Sequence, residues 1–357
     1  MTRKLRDSVV VITGASSGIG RAAALAFARE GATLVLGARR GEQLEQVAEE
    51  CRTMGVLALA VPVDVTDEAA VQHLAQQAIE SYGRLDVWIN NAAVSLFGRI
   101  EEVPMDQYRR VVETNLFGYV HGARAAIPHF RKQRSGVLIN NSSVFGTMGA
   151  PYLSAYVSTK FAIRGLSESL RQELLDVPGI HVCTVMPASI DTPIFNQAAN
   201  YTGRAIQPLK PILPAEDVAQ AMVHLARSPQ RELIVGTAGR MQKLVHSFIP
   251  RTAEKLNARQ VDHDHFQDGR PADPSPGNLY EPMPQWGTIS GGWRNGEERK
   301  GRGGAIAVGA IAFALSAGLI LYQSLSRNGA KASRLGRVLR ATARPRAKAR
   351  RSLRRIL

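Results

Sequence analysis

Residues 9–20 read VVVITGASSGIG. A short apolar run ends in a glycine-rich turn, and a helical pattern then runs from Gly20 to Glu30. Strand, turn and helix in this order form the first unit of a parallel α/β sheet, with the turn at the sheet's carboxyl edge. Glycine there lets the backbone approach a pyrophosphate, and the N-terminus of the next helix favours its negative charge. The spacing is G-x-x-x-G-x-G at Gly14, Gly18 and Gly20, not the G-x-G-x-x-G fingerprint. The plainer reading is that the glycines only give the chain room to reverse. The coincidence of strand, turn and helix favours the phosphate.

Working outward, apolar runs recur at Thr33–Leu36, Val56–Val61, Leu85–Ile89, Gly136–Asn140 and Ile180–Met186. Helical patterns lie between and after them at Leu44–Met54, Glu68–Tyr82, Ala155–Leu175 and Ala215–Arg227, and a last strand is expected at Arg231–Val235. Near-continuous apolar strands alternating with helices predict a Rossmann-like, doubly wound parallel sheet covered on both faces. Residues 1–250 are read as this single domain. At 357 residues, 45% hydrophobic and with 32 glycines, the chain builds such a core easily. Its two cysteines, Cys51 and Cys183, are far apart, which argues against a disulfide framework or a cysteine metal site and for a reducing compartment. The first apolar run is too short for a signal peptide, so a cytoplasmic domain is expected.

The net charge of +15 is uneven: residues 327–357 carry twelve Lys and Arg and no acid, leaving +3 for residues 1–326. Residues 251–302 are rich in Pro, Gly and charge and are read as a partly disordered linker. AIAVGAIAFALSAGLILY, residues 305–322, carries no charge, and residues 303–325 are expected to enter or span a membrane. Arg302 and Arg327 flank this stretch, and Ala310, Ala314 and Gly318 recur every four residues, as in a close helix contact in lipid. The basic tail, 326–357, suits anionic lipid better than nucleic acid, because it is arginine-rich, lacks aromatic residues and adjoins the apolar stretch. Topology is left open: the tail charge and the domain both favour the cytoplasm, and one span separates them.

At the end of the second strand, LGARRGE places Ala38, Arg39 and Arg40 where a dinucleotide fold often has a carboxylate on the adenosine ribose. Guanidinium groups there fit a 2′-phosphate, so NADP(H) is expected over NAD(H). A solvated loop before a helix is the alternative. Residues 156–160 read YVSTK, which puts Tyr156 and Lys160 on one helical face, one turn apart.

With TGASSGIG, NNAA, ETNLFG, INNSS and YVSTK in order over residues from about 7 to 245, the chain resembles the short-chain dehydrogenase/reductase family. Ser143 lies thirteen residues before Tyr156, and Lys160 lies four after it, as in that family. The resemblance implies Tyr156 as general acid/base, Ser143 on the substrate oxygen, Lys160 on the nicotinamide ribose, and Asn115 supporting a proton-relay water. It further implies a cofactor site of Gly14, Ser16, Ser17, Gly18, Ile19 and Gly20, with Arg39, Arg40, Asp64, Val65, Asn91 and Ala92. Pro187, Ile190 and Thr192 complete that site. A homodimer or homotetramer paired through the helix carrying Tyr156 is also implied. Two departures stand out: Ala93 and Ala188 replace glycines of the family pattern, which puts their local backbone in question.

The chemistry is consistent with this. Hydride transfer to a carbonyl leaves an alkoxide in need of a proton, and an ammonium beside a phenol favours the phenolate. Strand alternation lets only one of Ser142 and Ser143 face the site, and the spacing favours Ser143. Thr192–Leu213 is expected to form a lid over a mostly apolar pocket, with Ile194, Phe195, Ile206, Asn196, Asn200 and Tyr201 within it. Phe145, Met148 and Tyr152 are placed in the same space, and all of these are equally read as packing residues. His263 and His265 are read as solvated loop, without metal. Together these point to an NADP(H)-dependent carbonyl/secondary-alcohol oxidoreductase acting on a small lipophilic molecule and attached to membrane through residues 303–357. The alternative is a cofactor-binding regulatory or scaffold protein.

Overall fold

The protein is described here by a computed structural model covering residues 4–236 and 250–294. In chain order it has β1 (Val9–Thr13), α1 (Gly18–Arg29), β2 (Thr33–Ala38), α2 (Gly41–Thr53), β3 (Ala58–Pro62), α3 (Glu68–Tyr82) and β4 (Val87–Asn90). A short β5 (Leu96–Phe97), α4 (Met105–Val112), a π-turn at Glu113–Phe117, α5 (Gly118–Gln133), β6 (Gly136–Asn141), α6 (Ser154–Glu173) and β7 (Ile180–Pro187) follow. The segment after β7 contains β8 (Ile190–Asp191), α7 (Ile194–Gln197), β9 (Ala199–Asn200), β10 (Arg204–Ile206) and β11 (Leu213–Pro214). The last elements are α8 (Ala215–Arg227), β12 (Glu232–Val235), α9 (Pro250–Asp264) and β13 (Phe266–Pro271).

Seven strands form one parallel sheet in the order β12-β7-β6-β4-β1-β2-β3. Ile12 lies between Leu36 and Ile89 in register. Every side chain of β1 is buried, and alternation divides them between two cores. Val10 and Ile12 pack with α1, α2 and α8, while Val9 and Val11 pack with α3, α5 and α6. Local chemistry fixes the helix ends: Asp67 caps α3 by accepting from the N–H groups of Ala69 and Ala70, and Gly83 closes it at φ 74°. Strand order reverses beside β1, so the crevice between the carboxyl ends of β1 and β4 is the switch point where such sheets bind ligands.

The linker expected over 251–302 is not what the structure holds up to residue 294. α9 and β13 lie within the same compact unit as the sheet, and β13 pairs antiparallel with β10. Residues 278–293 then run back across the sheet's carboxyl edge. Proline- and glycine-rich composition hid this because the segment is held by its own backbone carbonyls and by arginines far away in sequence. Among the described residues no helix is long and apolar enough to cross a membrane. Residues 303–325 and 326–357 lie outside the described residues, as do the expectations placed on them.

Candidate active site

The turn after β1 is packed too closely for side chains at its glycines. Gly14 and Gly18 have φ of 68° and 53°, a region side chains disfavour. A Cβ on Gly14 would meet Ala92 Cα at 2.7 Å, and one on Gly20 would meet the Gly14 carbonyl oxygen at 2.1 Å. Backbone thus packs on backbone, and Ser16, Ser17, Gly18 and Ile19 at the start of α1 line the cleft, with the Gly18 N–H donating to the Thr288 carbonyl. Of the catalytic and cofactor residues expected from the sequence, all but Gly20 and Asn115 line the cleft. Of the substrate-side residues Ile194 and Phe195 line it, together with Ser143 and Tyr156, while Phe145, Met148, Tyr152, Asn196, Asn200, Tyr201 and Ile206 do not. The cleft measures about 1250 Å³ with its open mouth. Among the described residues the positive φ values outside glycine fall at Asp7, Arg134 and Tyr152, so neither Ala93 nor Ala188 is forced into a left-handed backbone.

At the floor, α6 carries Tyr156 and Lys160 one turn apart. Buried Lys160 donates from Nζ to the Asn141 carbonyl at 2.8 Å, and Nζ lies 5.3 Å from the ring centres of both Tyr156 and Tyr119. Burial pulls the Lys160 ammonium down to about 7. The Tyr156 phenol moves the other way, to about 12, because burial outweighs the hydrogen bond with Ser143 that draws it down. The lowering of the phenol expected from its lysine neighbour is not found; burial raises it, and Ser143 draws it down.

The two serines part as strand geometry requires. Ser142 Oγ donates to the Lys160 carbonyl at 2.9 Å and so pins α6, while Ser143 faces the phenol and accepts from the Phe145 N–H. Asn115 sits in the π-turn, a feature common at functional sites, with Oδ1 accepting from the Val94 N–H and Nδ2 donating to the Val94 carbonyl. Its side chain is therefore a clasp on the cleft wall. Asn91 does similar work, donating to the carbonyls of Thr13 and Gly14 and accepting from Asn141.

The adenosine end differs from expectation. All five N–H donors of Arg40 are engaged: Nε and Nη2 on Ser16 Oγ, Nη2 on Ser17 Oγ, and Nη1 on the carbonyls of Met283 and Trp286. Arg39 donates to the carbonyls of Asn278, Leu279 and Tyr280, which leaves its Nε–H outside these bonds. Burial lowers both guanidinium pKa values. Asp64 accepts from Thr66 and from Arg110 at 2.6 Å, and these bonds hold its carboxyl below the ordinary value despite its burial. Val65 is buried beside it, and its carbonyl pairs with His121 Nδ1.

On the substrate side Phe195 and Ile194 line the cleft with Val94, and Phe195 meets Trp293 edge-on at 6.2 Å. Phe145 packs into the same apolar cluster as Tyr156. Met148 is buried, and Tyr152 faces outward, donating to Asp262 with Arg99 and Arg204 near its ring. Asn200 and Tyr201 are turn and packing residues: Asn200 bonds Thr202 and Arg204, and Tyr201 pairs with Gln107. His263 is exposed, but His265 is not the solvated residue expected. It is buried, paired through Nδ1 with the Gln207 carbonyl, edge-on to Phe97 at 5.1 Å, and lowered by burial to about 4. No cluster of metal-ligating side chains occurs among the described residues.

Sequence reading missed a buried polar ladder behind the site. Trp88 Nε1 donates to Asn90, Asn90 to Asn140, and Asn140 to Ser167. Tyr119 donates to the Asn141 carbonyl, the atom that also receives Lys160. The available signal was asparagine inside apolar strands, which is costly unless every amide finds a partner.

The family model described as short chain dehydrogenase matches residues 8–202. An uncharacterized oxidoreductase, YxnA of Bacillus subtilis, is 38% identical over 277 residues, covering 76% of this chain and 77% of its own. The crystal structure of a short chain dehydrogenase/reductase from Burkholderia phymatum in complex with NAD is 26% identical with a TM-score of 0.64, covering 76% of this chain and 99% of its own. An alcohol dehydrogenase from the archaeon Thermococcus sibiricus, complexed with 5-hydroxy-NADP, is 30% identical with a TM-score of 0.56, covering 64% and 96%.

Proposed function

The chain belongs to the short-chain dehydrogenase family as an oxidoreductase of that type, and from this we propose that it is NADP(H)-dependent and interconverts a carbonyl and a secondary alcohol on a lipophilic substrate. The observation that carries the reading is the convergence of Ser143, Tyr156 and Lys160 on the floor of the cleft opened by the glycine turn. A nicotinamide cofactor, once bound, supplies or accepts the hydride. The glycine turn, whose Ser16, Ser17, Gly18 and Ile19 line the cleft at the start of α1, suits its diphosphate.

The protein's own part is to manage the proton. A phenol held near 12 is protonated at neutral pH and ready to be given to a developing alkoxide. Ser143 donates to the same oxygen, and Lys160, fixed by the Asn141 carbonyl, places its Nζ beside the phenol to stabilise the phenolate left behind. In the reverse direction the phenolate is the base. NADP(H) over NAD(H) rests on Ala38 in place of a carboxylate and on the Nε–H of Arg39. The solved relatives include both an NAD complex and an NADP-analogue complex. The lipophilic substrate rests on Val94, Ile194 and Phe195 in the cleft wall. Phe117 and Phe161, exposed on the π-turn and on α6, support a homo-oligomer paired through these helices. Attachment to membrane lipid through residues 303–357 rests on their composition alone.

The test is nicotinamide oxidation by the purified chain with a panel of lipophilic ketones and aldehydes, NADPH against NADH. Turnover that is lost in Tyr156→Phe, with nucleotide binding kept, supports the reading. Turnover that survives this substitution sinks the assignment of Tyr156.

A further inference from the structure

Residues 278–293 cross the cleft fixed at both ends. At one end Leu279 is fully buried in a cluster with Val94, Val111 and Ala155, and its carbonyl accepts from Arg110 as well as Arg39. At the other, the buried Asp191 carboxylate accepts from Ser290 Oγ and from the N–H groups of Gly291 and Trp293. Between them the chain passes directly over the glycine turn. The carbonyls of Met283 and Trp286 accept from Arg40, that of Gly287 from Arg21, and that of Thr288 from the Gly18 N–H at 2.9 Å.

Such a segment either fills the phosphate position or forms an outer wall beneath which a ligand lies. Asn278, Pro282 and Met283 line the same cleft as Gly14, Asp64 and Tyr156, so room remains beside this part of the segment, while the Thr288 carbonyl takes the Gly18 N–H at the start of α1. The remaining room fits a wall, and the Thr288 carbonyl on the Gly18 N–H is the bond that lifting the segment would free. We infer that residues 278–293 are a closing strap of the cofactor site, which clasps a bound nicotinamide dinucleotide and lifts for it to exchange. The inference rests on the nucleotide-binding reading above. Arg40 is then the latch: it ties Ser16 and Ser17 of the glycine turn to the strap's carbonyls through hydrogen bonds strengthened by its charge. Opening breaks several such bonds together, so release is the slow step of exchange.

Asp191 and Trp293 anchor the strap's far end, and neither lines the cleft. In the full chain, dissociation of NADPH or NADH, whichever the wild type binds more tightly, is followed by stopped-flow displacement with excess oxidised cofactor. Asp191→Ala and Trp293→Ala are each expected to release it at least tenfold faster and to bind it more weakly. Tighter binding in a folded variant means the segment is a plug, and unchanged rate and affinity mean it is inert; either result overturns the inference. Trp293→Ala alone decides if Asp191→Ala does not fold cooperatively. Failure of the wild type to bind either nucleotide is a distinct result that sinks the nucleotide reading itself.

Discussion

The ammonium nitrogen of Lys160 lies 5.3 Å from the centre of the Tyr156 ring and 2.8 Å from the Asn141 carbonyl oxygen, and all three residues are buried or nearly so. A cation is thus held against a phenol where neither is well solvated, and each resists its charged form.

Stability of the cofactor-free protein should therefore depend on pH in two opposite limbs. The folded Lys160 pKa of about 7 lies below its unfolded value, so between these the unfolded chain binds more protons and stability rises with pH. The folded Tyr156 pKa of about 12 lies above its unfolded value, so stability falls again as the unfolded phenol ionises. Thermal melts from pH 6.5 to 9.5 should show Tm rising in the wild type and a flatter curve in Lys160→Met. A wild-type curve as flat as the mutant's would reject the buried, neutralised lysine.

Tyr156→Phe should lower kcat by about 10²–10⁴-fold, the usual worth of a positioned acid/base. Ser143→Ala should lower it by roughly 10²–10³-fold, as for loss of one oxyanion donor. Nucleotide affinity should stay within about threefold in both, a split visible by measuring binding and turnover on the same samples.

Arg39 and Arg40 should separate by cofactor. Arg39→Ala should weaken NADPH more than NADH, because it removes three strap bonds that serve either nucleotide and also the Nε–H outside them that would meet a 2′-phosphate. Arg40→Ala should weaken both nucleotides alike, because every donor of Arg40 serves the glycine turn and the strap. Titration of each variant with the two cofactors checks this, and a selective NADPH loss in Arg40→Ala would contradict it.

Gly14→Ala should destabilise the fold by about 1–3 kcal/mol and abolish nucleotide binding, since a left-handed backbone and a 2.7 Å approach to Ala92 coincide there. Denaturant melts and nucleotide titration measure the two effects separately.

The basic tail should bind anionic vesicles and release them as salt rises, and a chain ending at residue 299 should lose this. Co-sedimentation with phosphatidylserine-containing vesicles at two salt concentrations is the measurement. Equal binding by both chains would assign lipid contact to the folded unit.

The parallel sheet and the floor of the site were legible in the sequence because both are written in local spacing. Apolar runs such as Val9–Thr13 announce buried strands, and the interval from Tyr156 to Lys160 is one helical turn. Strand order, and with it the meeting of Ser143 from the end of β6 with Tyr156 from α6, needed only the familiar winding of such units. Residues 278–293 were not legible. Their proline- and glycine-rich composition states only that they form no long helix or strand, while their place is set by Arg39, Arg40 and Asp191, which act from 99 to 246 residues away. His265 was misread for the same reason, since its burial depends on Phe97 and Gln207 rather than on its neighbours. Periodicity is a property of adjacent residues and survives in the sequence. Which carbonyl satisfies a guanidinium is a property of the folded chain, and only the tertiary structure decides it.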